Sequence, residues 1–390
     1  MARRPQHTVQ HDLLTSQEVW EITHQTLSEH VRLDVSGDVY EKGDILDVLL
    51  QAASTAGTIE SACEALEDIG TGNGIRYHLN TVSLAELETD LNASLLAHAP
   101  HRLFQTARKV AVDLVLVPYY GTVEPDDDDF LIRSQPRAGT THFFGYATLC
   151  LLHRHQRYTV ALRCLRKSEP LLELLKWLLT RLTTLGGQIK RLFLDAGFYS
   201  VAICRYLLQA DVPFVMPVPK KGKTGGIRKL FVGSHTYTTI YTMRSPHDGT
   251  LEVPVIVVRK YSQGKYHRHG VEWLAYIAPR WTGPLPTVHE VYRGRFGIES
   301  SYALMHAVRA RTRSRKPAVR LLAVGVALVL VNLWVFLKWS AVSLPRKGGR
   351  LVLDHLFPFE TMALFLQLAL LQRHGSHHTI YLRQAQGGGL

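Results

Sequence analysis

Cysteine is scarce and badly placed for structural chemistry. Cys63, Cys150, Cys164 and Cys204 are too few and too scattered among 390 residues for a disulfide framework. None stands in a CxxC pair, which excludes a thiolate zinc site and leaves free thiols in a reducing compartment. Internal repeats and low-complexity tracts are missing too, so the chain is not a repeat array. The opening residues, Met1-Ala-Arg-Arg-Pro-Gln-His-Thr, lead into polar sequence without the apolar core of a signal peptide, so a cytoplasmic protein is expected. Acidic side chains run short after residue 100. Residues 1–100 hold 5 Lys or Arg against 16 Asp or Glu, whereas the other 290 hold 40 against 17. A positive field of that size favours a polyanionic partner, and nucleic acid, acidic membrane and acidic protein all satisfy it.

What is present is ordinary for a globular chain: 46% hydrophobic and 20% charged residues, enough for two or three domains or one large domain with insertions. One segment stands apart. Leu321 to Leu337 holds seventeen residues with Asn332 as the single polar one, at the short end of what spans a bilayer. A helix buried on most sides within a large core looks the same. No second such segment exists, so a core helix and no membrane partner are expected.

Residues 1–100 read as helical. Asp44 to Ala53 places apolar residues at helical spacing behind an Asp that can cap the helix, and Thr58 to Ile69 is a second amphipathic segment. The second segment, the turn Gly70-Thr-Gly-Asn-Gly and the following Arg76, Tyr77 and His78 resemble a helix-turn-helix, although a plain helical bundle fits equally well. From Lys109 the period changes to strand-like runs at 109–118, 139–152 and 157–165, the first two separated by the acidic loop Asp126 to Asp129. A helix over 169–185, a strand from Ile189, a helix over 200–209 and a strand over 213–218 complete a β-β-β-α-β-α-β order, which implies a mixed sheet with helices on its faces. A basic loop from Lys220 then opens a β-rich insertion with strands over 236–243, 252–260 and 271–277. Helical sequence resumes at Val288 and runs to about Val308, and the tail ending in Gly387-Gly-Gly-Leu is expected to be mobile.

Three carboxylates draw notice by position. Asp113 sits inside the apolar strand VAVDLVLV, where a lone charge is costly unless a cation or hydrogen bonds hold it. Asp195 ends the strand RLFLD, the usual place for sites in open α/β sheets. Glu299 follows Tyr292 and Arg295 at spacings that share one helix face. Each has a plain structural alternative as network member, helix cap or ion-pair partner. Together, with no Cys or His cluster, they suit hard divalent cations, and two such ions can activate a nucleophile and stabilise the leaving oxygen in phosphoryl transfer.

These blocks resemble the DDE transposases of prokaryotic insertion sequences, in the RNase H-like superfamily. Asp113-Leu-Val-Leu-Val-Pro-Tyr-Tyr-Gly looks like the first-Asp block, Gly139-Thr-Thr-His-Phe-Phe-Gly-Tyr-Ala-Thr like the second strand, and Leu194-Asp-Ala-Gly-Phe-Tyr-Ser like the second-Asp block. Tyr292-x-x-Arg295-x-x-x-Glu299 resembles the Tyr/Arg/Glu signature of the group with a β-rich insertion before the Glu. Two positions depart from the pattern: Ala196 stands where the second block usually has Arg, and His306 where a Lys follows seven residues after the Glu.

The resemblance implies an α/β, RNase H-like mixed sheet with flanking helices, and a helical N-terminal region over 1–104 that binds DNA ends. The catalytic core would occupy 105–219 and 288–340, the insertion 220–287, and a C-terminal helical segment and tail 341–390. It implies that Asp113, Asp195 and Glu299 are catalytic and ligate two Mg²⁺ ions, with Mn²⁺ able to substitute. Tyr292 and Arg295 would contact the DNA near the scissile phosphate or orient Glu299, and His306 is a further implied DNA contact. Lys220, Lys221 and Lys223, with Arg311 and Arg313, would hold the phosphate backbone or stand as solvated loops. Partners would be double-stranded DNA with terminal inverted repeats and target DNA, met as a homodimer on the nucleoid. The alternatives are an inactive or domesticated DNA-binding derivative and an RNase H-like nuclease that cleaves without joining.

Overall fold

The computed structural model describes residues 13–35, 37, 39–123, 129–153, 156–263, 269–347 and 349–376. The N-terminal octet, most of the acidic loop and the glycine tail lie outside them. The chain divides into a sheet unit, 100–118 with 129–300, and a helical unit, 1–99 with 119–128 and 301–390.

The sheet unit is built on β1 (Arg108–Tyr119), β2 (Leu131–Arg137), β3 (Thr140–His153), β4 (Gln156–Cys164), β5 (Ile189–Leu194) and β6 (Phe214–Pro217). β3 lies between β1 and β4, and β1 continues to β5 and β6, which gives the core order β4-β3-β1-β5-β6. β1, β5 and β6 run parallel, while β3 pairs antiparallel with β2 and β4. Parallel neighbours need crossovers, and α6 (Leu171–Thr184) and α7 (Val201–Gln209) supply them. α6 buries Leu174, Leu175, Leu178, Leu179 and Leu182, one stripe of a 3.6-residue period. It ends at Gly186, whose φ of +80° suits glycine and closes the helix. This is the mixed sheet with flanking helices that the element order in the sequence implied.

The insertion contributes β7 (Tyr237–Ser245), β8 (Gly249–Gln263) and β9 (His269–Ile277), paired antiparallel in sequence. It is not a detached lobe. Met216 and Pro217 of β6 pair with Ile277 and Tyr276 of β9, so core and insertion share one nine-stranded sheet.

The helical unit holds α1 (Ser16–His30), α2 (Lys42–Ser54), α3 (Ile59–Ala65), α4 (Gly72–Leu79) and α5 (Leu84–Leu96). Two helices from the far end of the chain join them, α10 (Pro317–Ser340) and α11 (Phe359–His374), with the hairpin β10 (Ser343–Arg346) and β11 (Gly349–Val352) between. α10 carries the long apolar run. Among the described residues it is the one helix long and apolar enough to cross a membrane, and 89% of its most apolar window is buried. It packs on α1, α2, α5 and α11. Gly325 lets α5 come close, since a Cβ there would lie 2.3 Å from Leu91 Cδ1, and Asn332 Nδ2 donates to the Leu95 carbonyl at 2.9 Å. By contact, residues from 301 onward group with the helices of 1–99: an all-round apolar helix can be buried by any neighbour, and here the neighbours are helices of 1–99 and α11.

The helix-turn-helix expectation is met in part. Thr58 and Thr71 cap α3 and α4 through their side chains, and of the glycines read as a turn Gly72 and Gly74 lie in the first turn of α4 while Gly70 precedes it. Arg76 pairs with Glu60 at 2.5 Å, His78 is buried and Tyr77 is exposed.

Candidate active site

β1 and β5 run parallel with Val112 opposite Leu194. Continuing that register by one residue brings Asp113 and Asp195 to the same level on adjacent strands. Asp113 is 8% exposed; its Oδ1 accepts from the Leu114 amide at 2.9 Å. Asp195 follows β5 and opens the single 3₁₀ turn Ala196–Phe198, without capping it through its side chain. Glu299 lies in the first turn of α9 (Phe296–Ala307).

The stretch from Val288 is not one continuous helix, as its sequence suggests. α8 (Val288–Arg293) stops at Gly294, where Arg295 N donates to Tyr292 O and Ile298 N to Arg295 O, both at 2.8 Å. These tight turns carry the chain into α9 and turn Arg295 inward, to 6% exposure. Its Nη1 meets Asp113 Oδ2 at 2.7 Å and its Nη2 meets Glu299 Oε1 at 2.8 Å. Asp195 Oδ1 is 3.9 Å from Nη2. All three carboxylates thus converge on one guanidinium.

Tyr292 secures the other side of Arg295. Its ring lies 5.6 Å from the guanidinium carbon, and its hydroxyl donates to the Leu194 carbonyl at 3.2 Å, next to Asp195. Burial keeps that hydroxyl protonated. Behind it, Tyr276 lies 5.2 Å ring to ring and shares a 2.8 Å hydrogen bond with His289 Nδ1. Burial, with Lys260 beside it, lowers the His289 pKa, so the ring is neutral at pH 7. Sequence reading missed Tyr276, His289 and Lys260. Nothing in their spacing marks them, because contact with Tyr292 arises only when β9 and α8 pack.

Burial pushes the Asp113 carboxyl up to about 6, with Arg295 offsetting part of the rise and Asp195 and Glu299 adding to it. For Arg295 burial acts downward, but Tyr292 and the three carboxylates together raise its pKa, and it stays charged.

The donor set suits a hard divalent cation: three carboxylates and no soft ligand. Among the described residues, however, no three His, Cys, Asp or Glu side chains are arranged to hold a metal as they stand. Arg295 bridges the carboxylates instead, so ion binding at this triad requires the guanidinium to give way. Protons compete there as well, because a metal takes the ionised carboxylate. The sign follows from the raised Asp113 pKa: apparent divalent-ion affinity is expected to fall about tenfold per unit as pH drops below 6 and to level off above 7. Calorimetric titration with Mn²⁺ from pH 5 to 8 checks this, and a flat profile contradicts it.

Lys220, Lys221 and Lys223 are exposed on the loop after β6, with Lys220 Nζ 5.8 Å from the Phe231 ring. His306, Arg311 and Arg313 belong to the helical unit. Desolvation and neighbouring Arg309 lower the His306 pKa, so the ring is neutral at pH 7 and a poorer phosphate partner than the Lys of the resembled pattern.

The family model described as "Transposase DDE domain" matches residues 110–333. No curated protein matches the chain. Among solved structures, the cryo-EM structure of a piggyBac transposase synaptic complex with hairpin DNA is similar in fold, with a TM-score of 0.53 at 11% identity. The similarity covers 96% of this chain and 82% of that one.

Proposed function

This chain belongs to the transposase DDE-domain family, and from that premise we propose that it cuts DNA at the ends of an insertion sequence and joins the freed 3′-hydroxyl to target DNA. The convergence of Asp113, Asp195 and Glu299 on one buried guanidinium carries this reading. One acid is enough to pair a buried arginine, whereas three converging carboxylates concentrate the oxygens that metal-assisted phosphodiester chemistry uses. In this reading the three carboxylates hold divalent ions, two Mg²⁺ with Mn²⁺ able to substitute. Such ions, when bound, would supply Lewis acidity for in-line displacement at phosphorus.

The protein's own groups do the positioning. Asp113 is held in β1 by the Leu114 amide, and Tyr292 fixes the chain before Asp195 through the Leu194 carbonyl. Arg295 holds Asp113 and Glu299 together until an anionic phosphate competes for its guanidinium. Lys220, Lys221, Lys223, Arg311 and Arg313 contribute sequence-independent backbone contacts. The DNA partners in this reading are terminal inverted repeats and a target duplex, bound by a homodimer in the cytoplasm on the nucleoid.

The test is incubation with DNA carrying the element ends, Mg²⁺ and a target plasmid. Joined products support the assignment. Cleavage without joining makes the protein a nuclease, and binding without cleavage makes it an inactive derivative.

A further inference from the structure

The helix that carries Tyr292 is too short to hold its own place. α8 has six residues, its N-cap Thr287 makes no side-chain capping bond, and it stops at Gly294. A helix of that length is marginal by itself, so its direction is set by what it packs against. Val288 and Tyr292 are its buried residues, and His289 is half-buried beside them.

The insertion supplies the seat. β8 and β9 pair Ile256 with Tyr276, Val258 with Leu274 and Lys260 with Glu272, which puts these side chains on one face of the sheet. Tyr276, 3% exposed, meets α8 twice. Its ring lies 5.2 Å from the Tyr292 ring, and its hydroxyl is 2.8 Å from His289 Nδ1. Positions 289 and 292 are neighbours on a helix surface, so one side chain of β9 engages both. Lys260 Nζ stands 3.4 Å from His289 Nε2. An ammonium can only donate, so Nε2 accepts; the neutral ring then carries its proton on Nδ1 and donates it to Tyr276.

Tyr292 passes this fastening on. Its ring lies between Phe193 of β5, at 6.4 Å, and Tyr276, with the Arg295 guanidinium 5.6 Å away, and its hydroxyl donates to the Leu194 carbonyl. Tilting that ring moves both attachments. The geometry points to Tyr276 as a positioning residue contributed by the insertion: fastened by His289, it sets the tilt of Tyr292 and through it the place of Arg295 and of the chain before Asp195. A phenylalanine would fill the same space, and the hydroxyl is what ties β9 to α8. Proton delivery is not its part, because burial, with Glu272 and Glu290 adding to it, opposes ionisation of Tyr276. This role rests on the transposase reading and adds to it what the insertion does for the triad.

The experiment uses full-length Tyr276→Phe, which keeps the ring and removes the hydroxyl. In cleavage of end-bearing DNA with Mg²⁺, kcat is expected to fall about tenfold with KM near wild type, since displaced reacting groups slow chemistry while DNA contacts stay in place. His289→Leu, which removes the same fastening, is expected to fall as far. His289→Asn, which keeps an N–H at the Nδ1 position, is expected to fall less. Hydrogen exchange on the metal-free proteins reads placement without chemistry. The Arg295 and Ile298 amides, which donate across the turn between α8 and α9, are expected to exchange about tenfold faster in Tyr276→Phe. Unchanged kcat, a raised KM with kcat intact, or wild-type exchange at that turn overturns the role. If Tyr276→Phe does not fold, the histidine variants decide, and equal losses in His289→Leu and His289→Asn overturn it. A wild type that cuts no DNA sinks the proposed function itself, an outcome distinct from a cutting wild type whose variants cut alike.

Discussion

Asp113→Asn is expected to lower DNA cleavage by about a thousandfold or more while leaving DNA binding in place. The amide keeps the volume of the carboxylate, so β1 and its neighbours need not repack. What it removes is charge at the most enclosed of the three acids, 8% exposed and 2.7 Å from Arg295. An oxygen-seeking divalent ion gains far less from a neutral amide than from a carboxylate. Asp195→Asn and Glu299→Gln should each do nearly as much damage, and the triple variant little more, because groups that act as a unit lose their function together. Binding is expected to hold or tighten, since each change removes negative charge facing the phosphates. Cleavage of end-bearing DNA in Mg²⁺, with affinity measured in parallel, decides. Near wild-type cutting by any single variant removes that residue from the site.

Arg295→Gln should alter stability rather than only rate. The guanidinium is buried and is the cation shared by all three acids. Taking one partner from a buried ion pair costs about 3–5 kcal/mol, because the remaining charge stays desolvated and uncompensated. Metal-free Arg295→Gln protein is therefore expected to melt well below wild type. A divalent ion can then settle among the acids without displacing anything, and at a hundredfold excess over its Kd it returns about 2.7 kcal/mol. The expected signature is a large Mg²⁺-dependent rise in Tm for the variant and a small one for wild type. Equal shifts in the two proteins would mean that the guanidinium does not compete for the triad. Cleavage should fall in the variant even so, as the phosphate loses its cation.

The parts of this architecture that were legible in the sequence are those written in local pattern. Asp113 was visible because a charge inside VAVDLVLV is anomalous, Asp195 because it ends a buried strand, and Glu299 because it follows Arg295 by one helical turn. The parts that were not legible depend on distant or weak signals. β2 reads LIRSQPR, with five of seven residues exposed and a proline inside, so no alternation marks it. β10 and β11 have four residues each, too short to show a period. The break at Gly294 is hidden because tight turns keep Tyr292, Arg295 and Glu299 near their helical spacing. The contact of Arg295 with Asp113 spans 182 residues, a distance no periodicity reports. The apolarity of α10 announces burial but does not say which helices provide it.

The antiparallel join between β6 and β9 bears on how this protein can be dissected. A parallel strand at the margin of a sheet presents unpaired amides and carbonyls that template association with other chains, and natural proteins cover such margins. Here β9 covers β6 and passes the exposed position outward to β7, where every second residue, Thr238, Ile240 and Thr242 among them, faces water. Excising residues 220–287 to test what the insertion contributes would leave the backbone of Phe214–Pro217 bare along one side. Aggregation of such a truncated protein would then report the uncovered strand, and say nothing about the insertion's part in handling DNA.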